Sequence, residues 1–226
     1  MDPPRGARLE ILRASRHRNK LRLGHLRGNR FELGLAGLDD APAAHTFRAR
    51  IDKRLAAGVP NRFGAQRFGI GGVNLRVARA WAGGDPLRAV EWALDPRGRW
   101  RRGMQGPPGS GSGPQRRLRE ALARRPDDAA GALRAGGARF RRLLASAAQS
   151  AVFNAVLDAR ERLGLLRTPR AGDVALTPRG GPYVFPGRSP RELARTSGPL
   201  PGRKKLRPEP AVLAQQREWS APAGIA

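Results

Sequence analysis

The run Gly58-Val59-Pro60-Asn61-Arg62-Phe63-Gly64-Ala65-Gln66-Arg67-Phe68-Gly69-Ile70-Gly71-Gly72-Val73-Asn74 sets the reading of the whole chain. Glycines and a proline surround two phenylalanines, amides and two arginines, a mixture that suits neither a regular helix nor a regular strand. It predicts a shaped loop. Phe63 and Phe68 can present ring faces close to the backbone, Arg62 and Arg67 carry charge for phosphate, and Asn61 and Gln66 can read a base edge. That set suits an unstacked nucleobase. The same composition fits a tight turn in which both rings plug a core and the arginines are solvated, and composition does not separate the two. A dinucleotide-binding loop is rejected, because no apolar strand precedes Gly69-x-Gly71-Gly72 and the spacing is not G-x-G-x-x-G.

Around this loop lies a strongly basic chain. Of its 226 residues, 44 are Lys or Arg and 18 are Asp or Glu, so the net charge is 44 − 18 = +26. A polyanion is the expected partner, with an attraction that weakens steeply in salt. Most of the charge is arginine, alongside abundant Ala, Gly and Pro, a bias that GC-rich coding also produces, so charge alone carries no specificity. There are no cysteines, which removes disulfides, zinc–thiolate sites and thiol nucleophiles. His17, His25 and His45 lack metal-ligand spacing, so no metal is expected. No run approaches the roughly 20 apolar residues of a membrane span, and the start has no apolar signal core. A cytoplasmic protein without membrane attachment is expected.

Upstream of the loop, alternation at Leu21 and Leu23 and at Phe31, Leu33 and Leu35 predicts β-strands with a basic outer face. Arg16, Lys20 and Arg22 on that face, with Gln66 and Arg67 in the loop, are the candidate RNA-binding residues. Phe47, Ile51 and Leu55 recur every four residues and predict a short helix over 46–57. Leu75, Ala78 and Trp81 predict another, which runs until the break at Gly83-Gly84-Asp85-Pro86. Residues 95–117 are rich in Gly, Pro and Ser and read as a flexible linker or insertion. Residues 118–138 read as a marginal helix, interrupted by Pro126 and Gly131. The broad apolar band from Phe140 to Leu163 predicts a buried helix, whose Ser146, Gln149, Ser150 and Asn154 need partners. Periodicity alone thus supports a mixed α and β protein with short strands.

Residues 58–74 resemble the signature loop of the tRNA pseudouridine synthase D (TruD) family, G-V-P-N-Y-F-G-x-Q-R-F-G-I-G-G-x-N, departing from it at Arg62, where the family has tyrosine. A second block is similar to the family's R-H-x-x-K-L-R-x-G-x-L-x-G-N-x-F strand pair, through Arg16, His17, Lys20, Leu21, Arg22, Gly24, Leu26, Gly28, Asn29 and Phe31. A third, roughly S-A-x-x-S-x-x-F-N, is carried by Ser146, Ala147, Ser150, Phe153 and Asn154. Gly172-Asp173 and the Gly198-Pro199-Leu200 turn resemble parts of the inserted TRUD domain.

The resemblance implies an α+β fold: part of a pseudouridine synthase catalytic domain over 1–94, with a mixed or antiparallel sheet and helices, the linker, and part of a TRUD domain over 118–226. It implies an isomerase that converts a D-arm uridine of tRNA, uridine 13, to pseudouridine without a cofactor. It places Phe63 against the flipped base and Asn61 in the active site, with tRNA as partner and a monomer as the working form. The family's nucleophilic aspartate lies in a G-x-K-D-x-x-A-x-T-like motif preceding the basic strand pair. None of the ten aspartates here has that context. The chain is therefore expected to be an internal portion of such an enzyme, the alternative being a catalytically inactive RNA-binding remnant or truncated fragment.

Overall fold

A computed structural model describes residues 32, 40–57, 59–97, 99, 111–188, 195–202 and 206–225. The expected strand pair and Arg16, Lys20 and Arg22 lie outside these residues. The chain divides into two units, residues 1–51 and 52–226. What is described of the first is residues 32 and 40 and helix α1 (Ala41–Ala57) as far as residue 51. Helix α1 begins five residues before the expected start, and its Phe47, Ile51 and Leu55 are exposed.

The second unit is α+β. Its helices are α2 (Val73–Ala82), α3 (Pro86–Leu94), α4 (Gly113–Arg124), α5 (Ala129–Ala135), α6 (Ala138–Arg162) and α7 (Pro210–Ser220). Three short strands, β1 (Val174–Leu176), β2 (Pro182–Val184) and β3 (Arg195–Thr196), form an antiparallel sheet in the order β2-β1-β3. Ala175 stands at its centre, opposite Tyr183 on one side and Thr196 on the other. Among the described residues no helix is long and apolar enough to cross a membrane.

Local chemistry sets the helix starts. Helix α2 follows Gly71 (φ 59°) and Gly72 (φ 75°), left-handed positions that favour glycine. Helix α3 was not anticipated: Asp85-Pro86 reads as a break, yet Asp85 caps the helix by accepting from the Arg88 N–H at 2.9 Å, and Pro86 occupies the first turn. The expected linker ends earlier than its sequence suggests, because α4 starts at Gly113. There Gln115 accepts from the Ser112 N–H and donates to the Ala93 carbonyl, joining the start of α4 to the end of α3.

Residues 118–138 are not a marginal helix but two helices, α4 and α5, separated near Pro126. Asp128 caps the second by accepting from the Gly131 N–H. Their Leu118, Ala132 and Leu133 are buried with Val77, Ala89, Val90 and Leu144 in one core shared by α2 through α6. Burial of that surface, at about 25 cal/mol per Å² of apolar area, stabilises both helices, which are too short to hold in isolation. Helix α6 is the longest element, and it carries the core on one part of its surface and the functional loop on another.

Candidate functional site

Residues 59–72 lie along α6 and are held there by directional contacts. The Asn154 side chain accepts from the Phe63 N–H at 3.0 Å and donates to the Phe63 carbonyl at 2.9 Å, so both main-chain groups of one loop residue are satisfied by one helical amide. The Phe63 ring meets Phe153 edge to face, with centroids 5.3 Å apart. Arg67 donates to Ser146 Oγ at 3.1 Å, and its guanidinium lies over the Phe63 ring, 5.3 Å from the centroid. Phe68 is half-buried and packs on Ala151 and Val152 of α6 and on Ala223. Gln66 and Asn61 are exposed.

Arg62 departs from its sequence reading. Its guanidinium donates from Nε to Asp158 Oδ1 at 2.8 Å and from Nη2 to Glu161, so its charge is matched by two carboxylates of α6 rather than offered to phosphate. The Glu161 hydrogen bond first, and the Asp158 bond second, raise its pKa above the ordinary arginine value.

Beside the tethered loop is a cavity of about 350 Å³. Val59, Pro60 and Asn61 form its loop side, Phe153, Leu157 and Arg160 its α6 side, and Leu166, Arg167, Leu176 and the segment Thr196–Gly198 the remainder. Volume and lining suit a small planar ligand: an apolar wall, an aromatic ring and a few polar groups at the edge. Phe63 does not line this space but backs Phe153, which does. Gly198 is confined to glycine by contact, since a Cβ there would stand 2.5 Å from Phe153 Cε2.

Arg160 is held in the cavity wall by a buried ion pair. It donates from Nη1 to Asp173 Oδ1 at 3.0 Å and from Nη2 to Asp173 Oδ2 at 2.8 Å, and both side chains are only 2% exposed. Oδ2 also accepts from the Arg170 N–H at 2.8 Å. The Asp173 carboxylate is thus fully engaged and unsuited to attack a ligand. Among the described residues no carboxylate lines the cavity, and no group of three or more His, Cys, Asp or Glu is placed to hold a metal.

The structure therefore brings Asn61 to the cavity, puts Phe63 behind its aromatic wall, holds Arg67 against Phe63, and leaves Gln66 on the outer side in the 3-10 turn Ala65–Phe68. The tether at Asn154 and the contact at Gly198 were not assigned from sequence, although both residues sit in the quoted motifs. Arg160 has no local signal, because its partner is 13 positions away and both are buried.

A family model described as tRNA pseudouridine synthase D (TruD) matches residues 5–95 and 93–189. The tRNA pseudouridine synthase D of Geobacter metallireducens is 35% identical over 96% of this chain and 59% of its own length. The proteins of that name from Geobacter sulfurreducens and Anaeromyxobacter sp. are 36% and 34% identical, each over 96% of this chain, covering 58% and 51% of their lengths. The chain thus spans somewhat more than half the length of these curated relatives. With the signature loop, the α6 motif and the Gly172-Asp173 hairpin occupying one site, the chain belongs to the tRNA pseudouridine synthase D family.

Proposed function

We propose that the chain forms the uridine-holding part of a tRNA pseudouridine synthase acting on a D-arm uridine, uridine 13. The observation that carries this reading is the cavity edged by Asn61 and walled by Phe153, beside a loop whose order matches the family signature. A uridine flipped out of its stack, at a cost of a few kcal/mol, places its flat base in that space. The Asn61 amide is suited to its polar edge, and Phe153, backed by Phe63, to its face. Arg67 and Gln66, with Arg16, Lys20 and Arg22, hold the RNA backbone.

In the reaction, the bond from ribose C1′ to base N1 breaks and one to base C5 forms. C5 loses its proton and N1 gains one, so the formula is unchanged and no redox cofactor is called for. The family's attacking aspartate has no counterpart among the described lining residues. The proposed layout is a catalytic-domain part over 1–94, a linker that ends before α4 and a TRUD part that begins with it, working as a cytoplasmic monomer.

The test is incubation of the full chain with unmodified tRNA, followed by pseudouridine mapping and by binding at two salt concentrations. Salt-sensitive binding that Asn61→Ala weakens supports the reading. Binding unaffected by Asn61→Ala removes the cavity from it. A second reading, an RNA-binding protein without turnover, is favoured by the absence of a carboxylate from the described lining. Binding with no pseudouridine at high protein concentration supports that one.

A further inference from the structure

We infer that Arg62 is a positioning residue for Asn61: it tethers the part of the loop before Phe63 to α6, as the Asn154 and Arg67 contacts tether the part from Phe63 onward, and so holds the Asn61 amide at the cavity. The inference rests on the proposed role of that cavity. Asn61 is the middle residue of a tight turn in which the Arg62 N–H donates to the Pro60 carbonyl at 3.0 Å. Immediately after it, Phe63 is tied through its main chain to Asn154. Anchors at and beyond Phe63 leave the segment before it free to pivot, so that Asn61 swings toward or away from the cavity.

Arg62 supplies the missing constraint. Asn154, Asp158 and Glu161 stand at i, i+4 and i+7 and form one stripe of α6. At 1.5 Å of rise per residue, the carboxylates sit roughly 6 and 10 Å along the helix from the first anchor. Pinned at two heights on the helix, the chain before Phe63 no longer swings about the Phe63 anchor. The forked guanidinium engages both carboxylates at once. Arg62, Asp158 and Glu161 are all partly exposed, with side-chain exposures of 39%, 44% and 35%, so the clamp adds little to global stability. Its effect is on which loop conformer is populated, and therefore on ligand affinity.

The experiment uses the full chain with Arg62→Gln, Arg62→Lys, and the charge swap Arg62→Glu with Asp158→Arg and Glu161→Arg. The probe is a single-stranded oligoribonucleotide carrying one uridine among adenosines. Three quantities are read: the Asn61 side-chain amide resonance of the free protein, assigned by its loss in Asn61→Ala; oligonucleotide affinity at two salt concentrations; and thermal midpoint. In Arg62→Gln the Asn61 resonance shifts, affinity falls roughly three- to tenfold, as loss of a modest loop preference gives, and the midpoint barely moves. Arg62→Lys falls between Arg62→Gln and the parent, since an ammonium keeps the charge and can meet both carboxylates but lacks the second donor nitrogen, and the charge swap regains most of the affinity.

An unshifted Asn61 resonance in Arg62→Gln overturns the inference. So does a salt slope reduced by about 0.7 with no recovery in the swap, which identifies Arg62 as a direct phosphate contact. If Asn61→Ala leaves affinity unchanged, the cavity reading fails, while the resonance in Arg62→Gln still decides whether the clamp positions Asn61.

Discussion

The helical core and the loop beside it are built from opposite interactions. In the core, Val90, Leu118 and Leu133 are wholly out of solvent, and what they supply is volume and apolar area. In the loop, the 3-10 turns Ala65–Phe68 and Ile70–Gly72 contain no buried residue. There the Asn154 amide, the Arg62 guanidinium and the bond from Arg67 to the Ser146 hydroxyl fix the chain one bond at a time. Apolar packing tolerates many residues of similar volume, whereas a directional bond needs a particular donor or acceptor in a particular place. A held loop therefore depends on particular side chains, and a core on volume and pattern.

The sharpest challenge to this division is Asp173, which is as buried as the core and as directional as the loop. Asp173→Ala leaves the Arg160 guanidinium charged and unpaired, and urea unfolding is expected to show a loss of about 3–5 kcal/mol. A loss near zero would mean that water reaches this pair and that the contrast is one of exposure alone. Leu133→Ala tests the apolar side, with an expected loss of about 2–5 kcal/mol by the same measurement. Leu133→Met, nearly conserving volume, is expected to cost less than about 1.5 kcal/mol.

Asn154→Ala deprives both Phe63 main-chain groups of their partner and is expected to cost about 1–3 kcal/mol. Faster amide exchange should appear at Phe63 before it does in α2 or α3. If α2 loosens equally, loop and core are one cooperative unit. The smallest effect is expected at Asp95. The Arg97 N–H first, then the Arg99 N–H and side chain, hold its carboxyl below the usual carboxylate range. A lowered folded-state pKa stabilises above the ordinary value of about 3.9 and is lost as pH falls through the lowered one. Asp95→Asn should therefore lower the thermal midpoint slightly at pH 7, with the gap to the parent closing as pH falls below about 4.

Legibility in the sequence follows the same physical line. Helices α2 and α6 were read close to their observed bounds because their apolar positions recur at helical spacing. Helix α3 is hidden from a reading by periodicity because Asp85-Pro86 reads as a break, although an aspartate cap followed by proline is also how a helix begins. Helices α4 and α5 look marginal in sequence because Pro126 and Gly131 interrupt the run, while the burial of Leu118 and Leu133 that holds them is set by distant partners. In the site, Asn61 was singled out from the loop alone. Arg62 was assigned to phosphate because nothing near it in sequence reveals Asp158 and Glu161, 96 and 99 positions further on.

By itself, then, the order of residues determined the family and identified the loop, because directional contacts demand specific side chains at specific spacings. Only the tertiary structure decided what each of those side chains meets. It turned Arg62 toward α6, placed Phe63 behind Phe153 rather than in the cavity, and engaged Asp173 with Arg160. The physical reason is distance along the chain. Partners separated by tens of residues are chosen by packing, and the energy of a charge or ring depends on the partner it finds.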